Sequence, residues 1–357
     1  MRLLKNGALR ALAKLLKKKG TPPSTERFLV VSTTGLGDSL WALPSINGLR
    51  HHFPECTLDV LMTDLGRQLF EYNPDINQRY LLPERLLDWY RLRNTLIERQ
   101  YHTAFVFHSS QRAMLPLLAC SGIPHIIGTK GEHKGLGRFL TQEAPPALHE
   151  IERRENLIRL AGASIVDPTL RYRMRKEERN GATAFRMKNG RENPVVFLHP
   201  GAKDRYKCWP ISHYIALGKR LEEEIGCTLW IGIGKGEDDL GAQLQKHLPN
   251  SRLIAHQSIR SYAATLVASD LLITNDTGPM HLACACKHPV IALFSPTDPH
   301  RCGPYETENA CTIVAPRTCT PCLSRSCRLP FCLRQISVDT VFEHARSILK
   351  KVPLSRS

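Results

Sequence analysis

The sequence predicts an α/β chain made of two doubly wound parallel sheets. Three observations carry this. Short apolar, β-branched runs alternate with helical stretches along most of the chain, which is the rhythm of β-α-β units. Two such arrays are separated by a polar stretch, about 166–193, that is rich in Arg and Lys and contains Gly181 and Gly190. A length of 357 residues is long for one domain and natural for two.

Residues 1–19 read as a basic amphipathic helix, with Leu4, Ala8, Leu12 and Leu15 at helical spacing and Lys17, Lys18 and Lys19 at its end. Gly20 and Pro22-Pro23 stop it, so 1–26 form a helix and linker. Such a helix suits an anionic membrane face, with leucines in the interface and lysines over lipid phosphates. The alternatives are a helix docked on its own protein and a frayed tail. The first array predicts strands at 28–32, 58–63, 104–108 and 125–128, with helices at 39–52, 64–72, 84–100 and 111–120. The second predicts strands at 195–199, 228–233, 252–255, 271–275 and 290–294. Its helices fall at 212–225, 238–247, 258–268 and 278–286, and a last helix at 337–350. The expected domains are 27–180 and 181–336, with 337–357 as a C-terminal helical segment.

The net charge of +16 calls for an anionic partner: nucleic acid, a phosphorylated glycan or a membrane. Aromatics at 7% leave few stacking platforms, and no nucleic-acid-binding module is present, so nucleic acid is not expected. The first 30 residues lack the apolar run of a secretory signal. The longest stretch free of Asp, Glu, Lys and Arg, 113–129, is broken by Pro116, Gly122 and Pro124 and is too short to span a bilayer. The expectation is a cytoplasmic protein whose twelve cysteines are reduced thiols.

Five motifs bear on chemistry. In the first, an apolar run ends in Asn275-Asp276 and a helix starts at once. Thr277 is placed to cap it, Gly278 lets a ligand approach the backbone, and Pro279 suits the first turn. Free N–H groups and the helix dipole there favour phosphate, and His281 lies one turn in. The plain alternative is a capped helix with a structural His. The second motif, 197–210, sets Lys203, Arg205 and Lys207 in one short loop, where they can neutralise a departing diphosphate or simply face solvent. The third, Ile231-Gly-Ile-Gly-Lys-Gly-Glu237, puts an acid after a glycine turn, which suits a nucleotide's sugar or base. No Gly-Lys-Ser/Thr is present, so it is not a Walker motif. The fourth, Gly35-Leu-Gly37-Asp38, opens a helix after the first strand. Asp38 can take a proton from a hydroxyl or satisfy helix N–H groups. The fifth, Cys319, Cys322, Cys327 and Cys332, sets four thiols at spacings that zinc can use, but lacks the paired C-x2-C of a zinc knuckle, so packed or redox-active thiols are expected before a metal.

Three segments together, GLGDSLWALPSINGLRHHFP, LHPGAKDRYKCWP and ITNDTGPMHLACACKHPVIALFSPTDP, resemble the lipopolysaccharide core heptosyltransferases of glycosyltransferase family 9. The resemblance implies a GT-B fold of two Rossmann-like domains facing across a cleft, with the last helix crossing back to the first domain. It implies inverting transfer of heptose from ADP-heptose to the phosphorylated lipid A–core glycolipid, without cofactor or metal, at the cytoplasmic face of the inner membrane. By position it makes Asp38 the base and Lys207 a phosphate-binding lysine. Asp276, Thr277, Gly278 and His281 become the donor-phosphate loop, and Glu237 the ribose-binding acid. Gly37, Lys203 and Arg205 remain candidates for acceptor or phosphate contact. Some members carry a His shortly after the aspartate, whereas here Ser39-Leu40-Trp41-Ala42 follows. Rival readings are a related transferase or epimerase using another nucleotide sugar, or a basic nucleic-acid- or membrane-binding protein without catalysis.

Overall fold

The computed structural model describes residues 27–109, 111–189, 193–255, 258–320, 322–323, 326–327 and 331–351. The helix expected at 1–19 lies outside them. The chain divides into two compact units after Pro168.

The first unit is a sheet of six parallel strands: β1 (Arg27–Thr33), β2 (Thr57–Met62), β3 (Arg79–Leu81), β4 (Thr103–Ser109), β5 (His125–Thr129) and β6 (Gln142–Ala144). They lie in the order β3-β2-β1-β4-β5-β6. Its helices are α1 (Leu36–His52), α2 (Asp64–Phe70), α3 (Leu86–Arg99), α4 (Met114–Cys120) and α5 (Glu150–Arg159). Phe28 to Val31 are fully buried, as a central parallel strand covered on both faces must be. Leu29, Val31, Ala104 and Val106 pack with Leu92 and Leu96 of α3 and Leu118 of α4. Elsewhere α1 meets α5 closely, and Gly48 permits it. A Cβ at Gly48 would overlap the backbone carbonyl of Ser164 and press on Ile158 of α5.

The second unit repeats the plan with β7 (Val195–His199), β8 (Thr228–Ile233), β9 (Arg252–Ala255), β10 (Leu271–Asn275), β11 (Val290–Phe294) and β12 (Ala310–Val314), ordered β12-β11-β10-β7-β8-β9. All pairings are parallel. Its helices are α6 (Lys176–Asn189), α7 (Ile211–Arg220), α8 (Asp238–His247), α9 (Ile259–Val267), α10 (Gly278–Ala285), α11 (Pro299–Cys302), α12 (Phe331–Arg334) and α13 (Val338–Leu349). Both sheets have the Rossmann strand order, so each reverses direction once: between β1 and β4, and between β7 and β10. Connections diverge there and leave a crevice at the carboxyl ends of the strands.

The division falls inside the polar stretch expected between the two arrays. The polar stretch near 166–193 contains a helix, α6, and the division precedes it. Arg186 of α6 pairs with Asp270 at 2.7 Å, and Glu178 holds Arg260 of α9, so the basic composition belongs to the outer face of a packed helix. The last helix packs into the second unit's core through Val341, Phe342 and Ala345. Three edge strands had no sequence counterpart: β3 and β6 have three residues each, and β12 has four half-buried residues and an exposed Val314, too little to make a pattern. No described helix is long and apolar enough to cross a membrane.

Gly48→Val is expected to destabilise the first unit by about 1–3 kcal/mol, because the clash is with backbone that cannot step aside. Denaturant unfolding checks this, and an unchanged midpoint contradicts the close α1–α5 approach.

Candidate functional site

In the first unit, Asp38 lies in the opening turn of α1, directly after the switch-point strand β1, with half-buried Gly37 beside it. Its carboxylate has the Gly35 backbone and the Thr34 side chain as hydrogen-bond partners at the helix start. Oδ1 lies 3.2 Å from Nη2 of Arg154, a guanidinium with no solvent exposure. Arg154 is fixed in turn through Nη1, which donates to the Glu150 carboxylate at 3.0 Å and to the Glu150 carbonyl at 2.6 Å. The Trp41 ring lies alongside, its centroid 5.4 Å from the guanidinium carbon. Glu150 also holds Arg153, which reaches Glu132 at 2.8 Å. Burial pushes the Asp38 carboxyl up, but Arg154 and His108, with smaller contributions from the Thr34 side chain and the Gly35 backbone, leave it below the usual range. The sequence reading missed Arg154. Its signal was Glu150 four residues earlier on a helical face, in a stretch assigned no element.

In the second unit, four loops at the carboxyl ends of β7, β8, β10 and β11 converge. The loop after β7 ends in a short turn, Arg205–Lys207. Lys207 points inward, and its Nζ lies 2.6 Å from Asp276 Oδ2. Thr297, after β11, donates to the same oxygen at 2.6 Å. Burial works against the Lys207 charge, yet Asp276 more than offsets it, so the amine stays protonated beyond its ordinary range. Lys203 and Arg205 are exposed: the three cations of one loop are split into one inward and two outward. Asn275 ties the loops together and was missed as a site residue. Its Oδ1 accepts from the Trp209 N–H at 2.9 Å, and its Nδ2 donates to the Pro200 carbonyl at 2.8 Å.

Thr277 takes the N-cap position of α10 but does not cap it, contrary to expectation. Its hydroxyl is engaged with Thr274 at 3.1 Å and the Asn275 carbonyl at 3.3 Å. The first-turn N–H groups are therefore not covered by that side chain, which suits an anion. Gly278 and Pro279 open the helix, and His281 is buried within it. Glu237 Oε2 accepts from the Gly234 N–H at 2.6 Å, and its carboxylate lies where a Cβ on Gly201 would be. Burial holds His199, at the end of β7, down to about 4, so it is neutral and adds no charge. Among the described residues, no three His, Cys, Asp or Glu side chains group to hold a metal ion.

The first unit thus offers an ionised carboxylate, and the second a charged lysine, helix N–H groups and an acid beside a glycine turn. Comparison with known proteins decides what kind of enzyme carries them. The family model described as glycosyltransferase family 9 (heptosyltransferase) matches residues 89–332. This chain belongs to glycosyltransferase family 9. Lipopolysaccharide heptosyltransferase 2 of Escherichia coli is 28% identical over 76% of the chain and 84% of its own length. Lipooligosaccharide heptosyltransferase 2 of Campylobacter jejuni is 24% identical over 89% and 96%. Among solved structures, the E. coli ADP-heptose LPS heptosyltransferase II covers 91% of the chain and 99% of its own, with a TM-score of 0.73 at 21% identity. A family 9 glycosyltransferase from Veillonella parvula gives 0.75 at 19%, covering 94% and 100%. The fold of this glycosyltransferase is accordingly the GT-B class.

Replacing Arg154 by Met is expected to raise the pH at which Asp38 titrates, because the charge that offsets its burial is gone. Arg154→Lys should raise it less. A carboxyl carbon NMR titration reads both, and an unmoved midpoint in the Met variant contradicts the pairing.

Proposed function

We propose that this transferase moves heptose from ADP-heptose to a phosphorylated lipid A–core glycolipid, at the cytoplasmic face of the inner membrane. The observation that supports the reading best is the division of charge between the two switch points. The carboxylate suits a hydroxyl proton, and the lysine with the α10 start suits a diphosphate. The relatives' names supply the sugar and the acceptor.

The steps follow from those groups. Asp38 accepts the proton of an acceptor hydroxyl as that oxygen attacks the anomeric carbon. The attack comes from the face opposite the nucleotide, so configuration inverts. A carboxylate of lowered basicity takes the proton late, after the new C–O bond has begun to form and acidified the hydroxyl. The bond to the leaving oxygen breaks, and ADP departs with the electron pair. Lys207, the N–H groups at the start of α10 and His281 meet the charge that develops on it, as fixed donors do at a transition state. Asp276 belongs to the same donor-phosphate loop. Its part is to hold Lys207 in place. Glu237 accepts hydrogen bonds from the ribose hydroxyls. Gly37, with exposed Lys203 and Arg205, serves acceptor or phosphate contact, and residues 1–19 hold the enzyme at the lipid surface.

The test is turnover by purified enzyme of ADP-heptose against other nucleotide sugars, on truncated core acceptors. ADP-heptose should be preferred, Asp38→Asn should cut kcat by about 10²-fold or more while donor Kd holds, and Lys207→Met should cut kcat/KM by about 10²–10³-fold. Preference for another nucleotide sugar overturns the donor assignment, and near-normal turnover by Asp38→Asn overturns the base.

A further inference from the structure

The first unit has an apolar surface that its own fold does not explain. Leu86 is 88% exposed, Leu87 58%, Tyr90 60%, Leu81 47% and Leu65 41%. Isolated exposed apolar residues are ordinary. Five from two adjacent connections are not. Leu65 opens α2 just after β2, while Leu81 ends β3 and the other three open α3. Strands β2 and β3 are neighbours, with Met62 opposite Leu81. The inward face of α3 is satisfied by Leu92 and Leu96, so Leu86, Leu87 and Tyr90 are surplus to the core.

These residues share an edge with Asp38. In a parallel sheet every strand ends at the same edge, so the connections after β1, β2 and β3 stand side by side. The Thr63 hydroxyl, after β2, donates to the Thr34 carbonyl, after β1, at 3.2 Å. The Leu82 N–H, after β3, donates to the Met62 carbonyl at 2.7 Å. Two strand spacings, roughly 10 Å, separate the β3 connection from the β1 turn that bears the carboxylate.

We propose that this patch seats on the surface of an anionic lipid bilayer, with Leu86, Leu87 and Tyr90 in the interface. Three features select a bilayer over a second protein. Leucine and tyrosine beside arginine are the residues that settle at a headgroup boundary, apolar body inward and polar tip outward. The segment 79–99 carries five arginines against three carboxylates, on a chain of net charge +16. Arg85 is exposed between the two leucine sites, and Arg91, which pairs with Asp88, is 69% exposed. Finally, the acceptor of the proposed reaction is a lipid, and a patch on the edge that holds Asp38 turns that edge toward the acceptor's source. This last point rests on the proposed function, whereas the first two do not.

The experiment uses the full chain and vesicles of phosphatidylcholine with phosphatidylglycerol, without nucleotide sugar or acceptor, so its result stands apart from the donor assay. The double variant Leu86→Glu/Leu87→Glu should lower the vesicle partition coefficient about ten-fold or more and leave the thermal midpoint unchanged. Met187→Glu, at a 78% exposed site on α6, should leave partition unchanged. In the transferase assay the double variant should lose rate on vesicle-embedded acceptor and keep it on soluble acceptor. Unchanged partition by the folded double variant overturns the proposal, whether residues 1–19 then carry the binding or light scattering shows the patch closing a dimer.

Discussion

Asn275 is fully buried at the end of β10, and the chemistry of the second unit depends on the hydrogen bonds it makes. At the switch point, the connections after β7 and β10 run to opposite faces of the sheet and nothing in the strand ladder holds them together. The Asn275 amide does. Its oxygen takes the Trp209 N–H, with the Tyr214 hydroxyl at 3.3 Å, and its nitrogen serves the carbonyls of Pro200 and Gly201. An aspartate could not donate to those carbonyls, and an aliphatic residue would leave several buried polar groups unpaired at about 1–3 kcal/mol each. With the loop pinned at both ends, Lys207 arrives at Asp276 and Gly201 passes close under Glu237. Trp209 extends the same tie toward the last helix, its Nε1 donating to the Ile336 carbonyl at 3.0 Å.

The two sites share an electrostatic design with opposite signs. Asp38 is an acid kept ionised by a buried arginine, and Lys207 is a base kept protonated by a buried acid. Each counter-charge is fixed elsewhere: Arg154 by Glu150, Asp276 by Thr297. In the proposed reaction neither group would need to ionise or reorient when substrate arrives, which is where preorganised sites gain over water. Neutral His199 fits the scheme, since it fills the end of β7 against Tyr262 without adding a third charge.

The buried strands and the loops that follow them were legible in sequence because a parallel strand covered on both faces is an unbroken apolar run. Val195–His199 and Leu271–Asn275 are of this kind. The glycine turns were legible because few other functions explain them. What the sequence hid was mostly pairing across long separations. Arg154 and Asp38 are 116 residues apart, and Lys207 and Asp276 are 69 apart. No local pattern marks which of Lys203, Arg205 and Lys207 turns inward. Asn275 was visible as a strand-end polar residue, but its role rests on partners from a loop 75 positions earlier. Thr277 shows the opposite error: the right residue type stands at the N-cap, yet its hydroxyl bonds back toward β10.

The central claim is that the second unit recognises the diphosphate of a leaving nucleotide. The most direct measurement is calorimetric affinity for ADP and for AMP, in the wild-type chain and in Lys207→Met. ADP should bind about ten-fold or more tightly than AMP, since a charge-assisted contact to the second phosphate is worth roughly 1.5–3 kcal/mol, and that gap should narrow sharply in the variant. Equal affinities for the two nucleotides, or a gap that survives the loss of Lys207, would contradict the account.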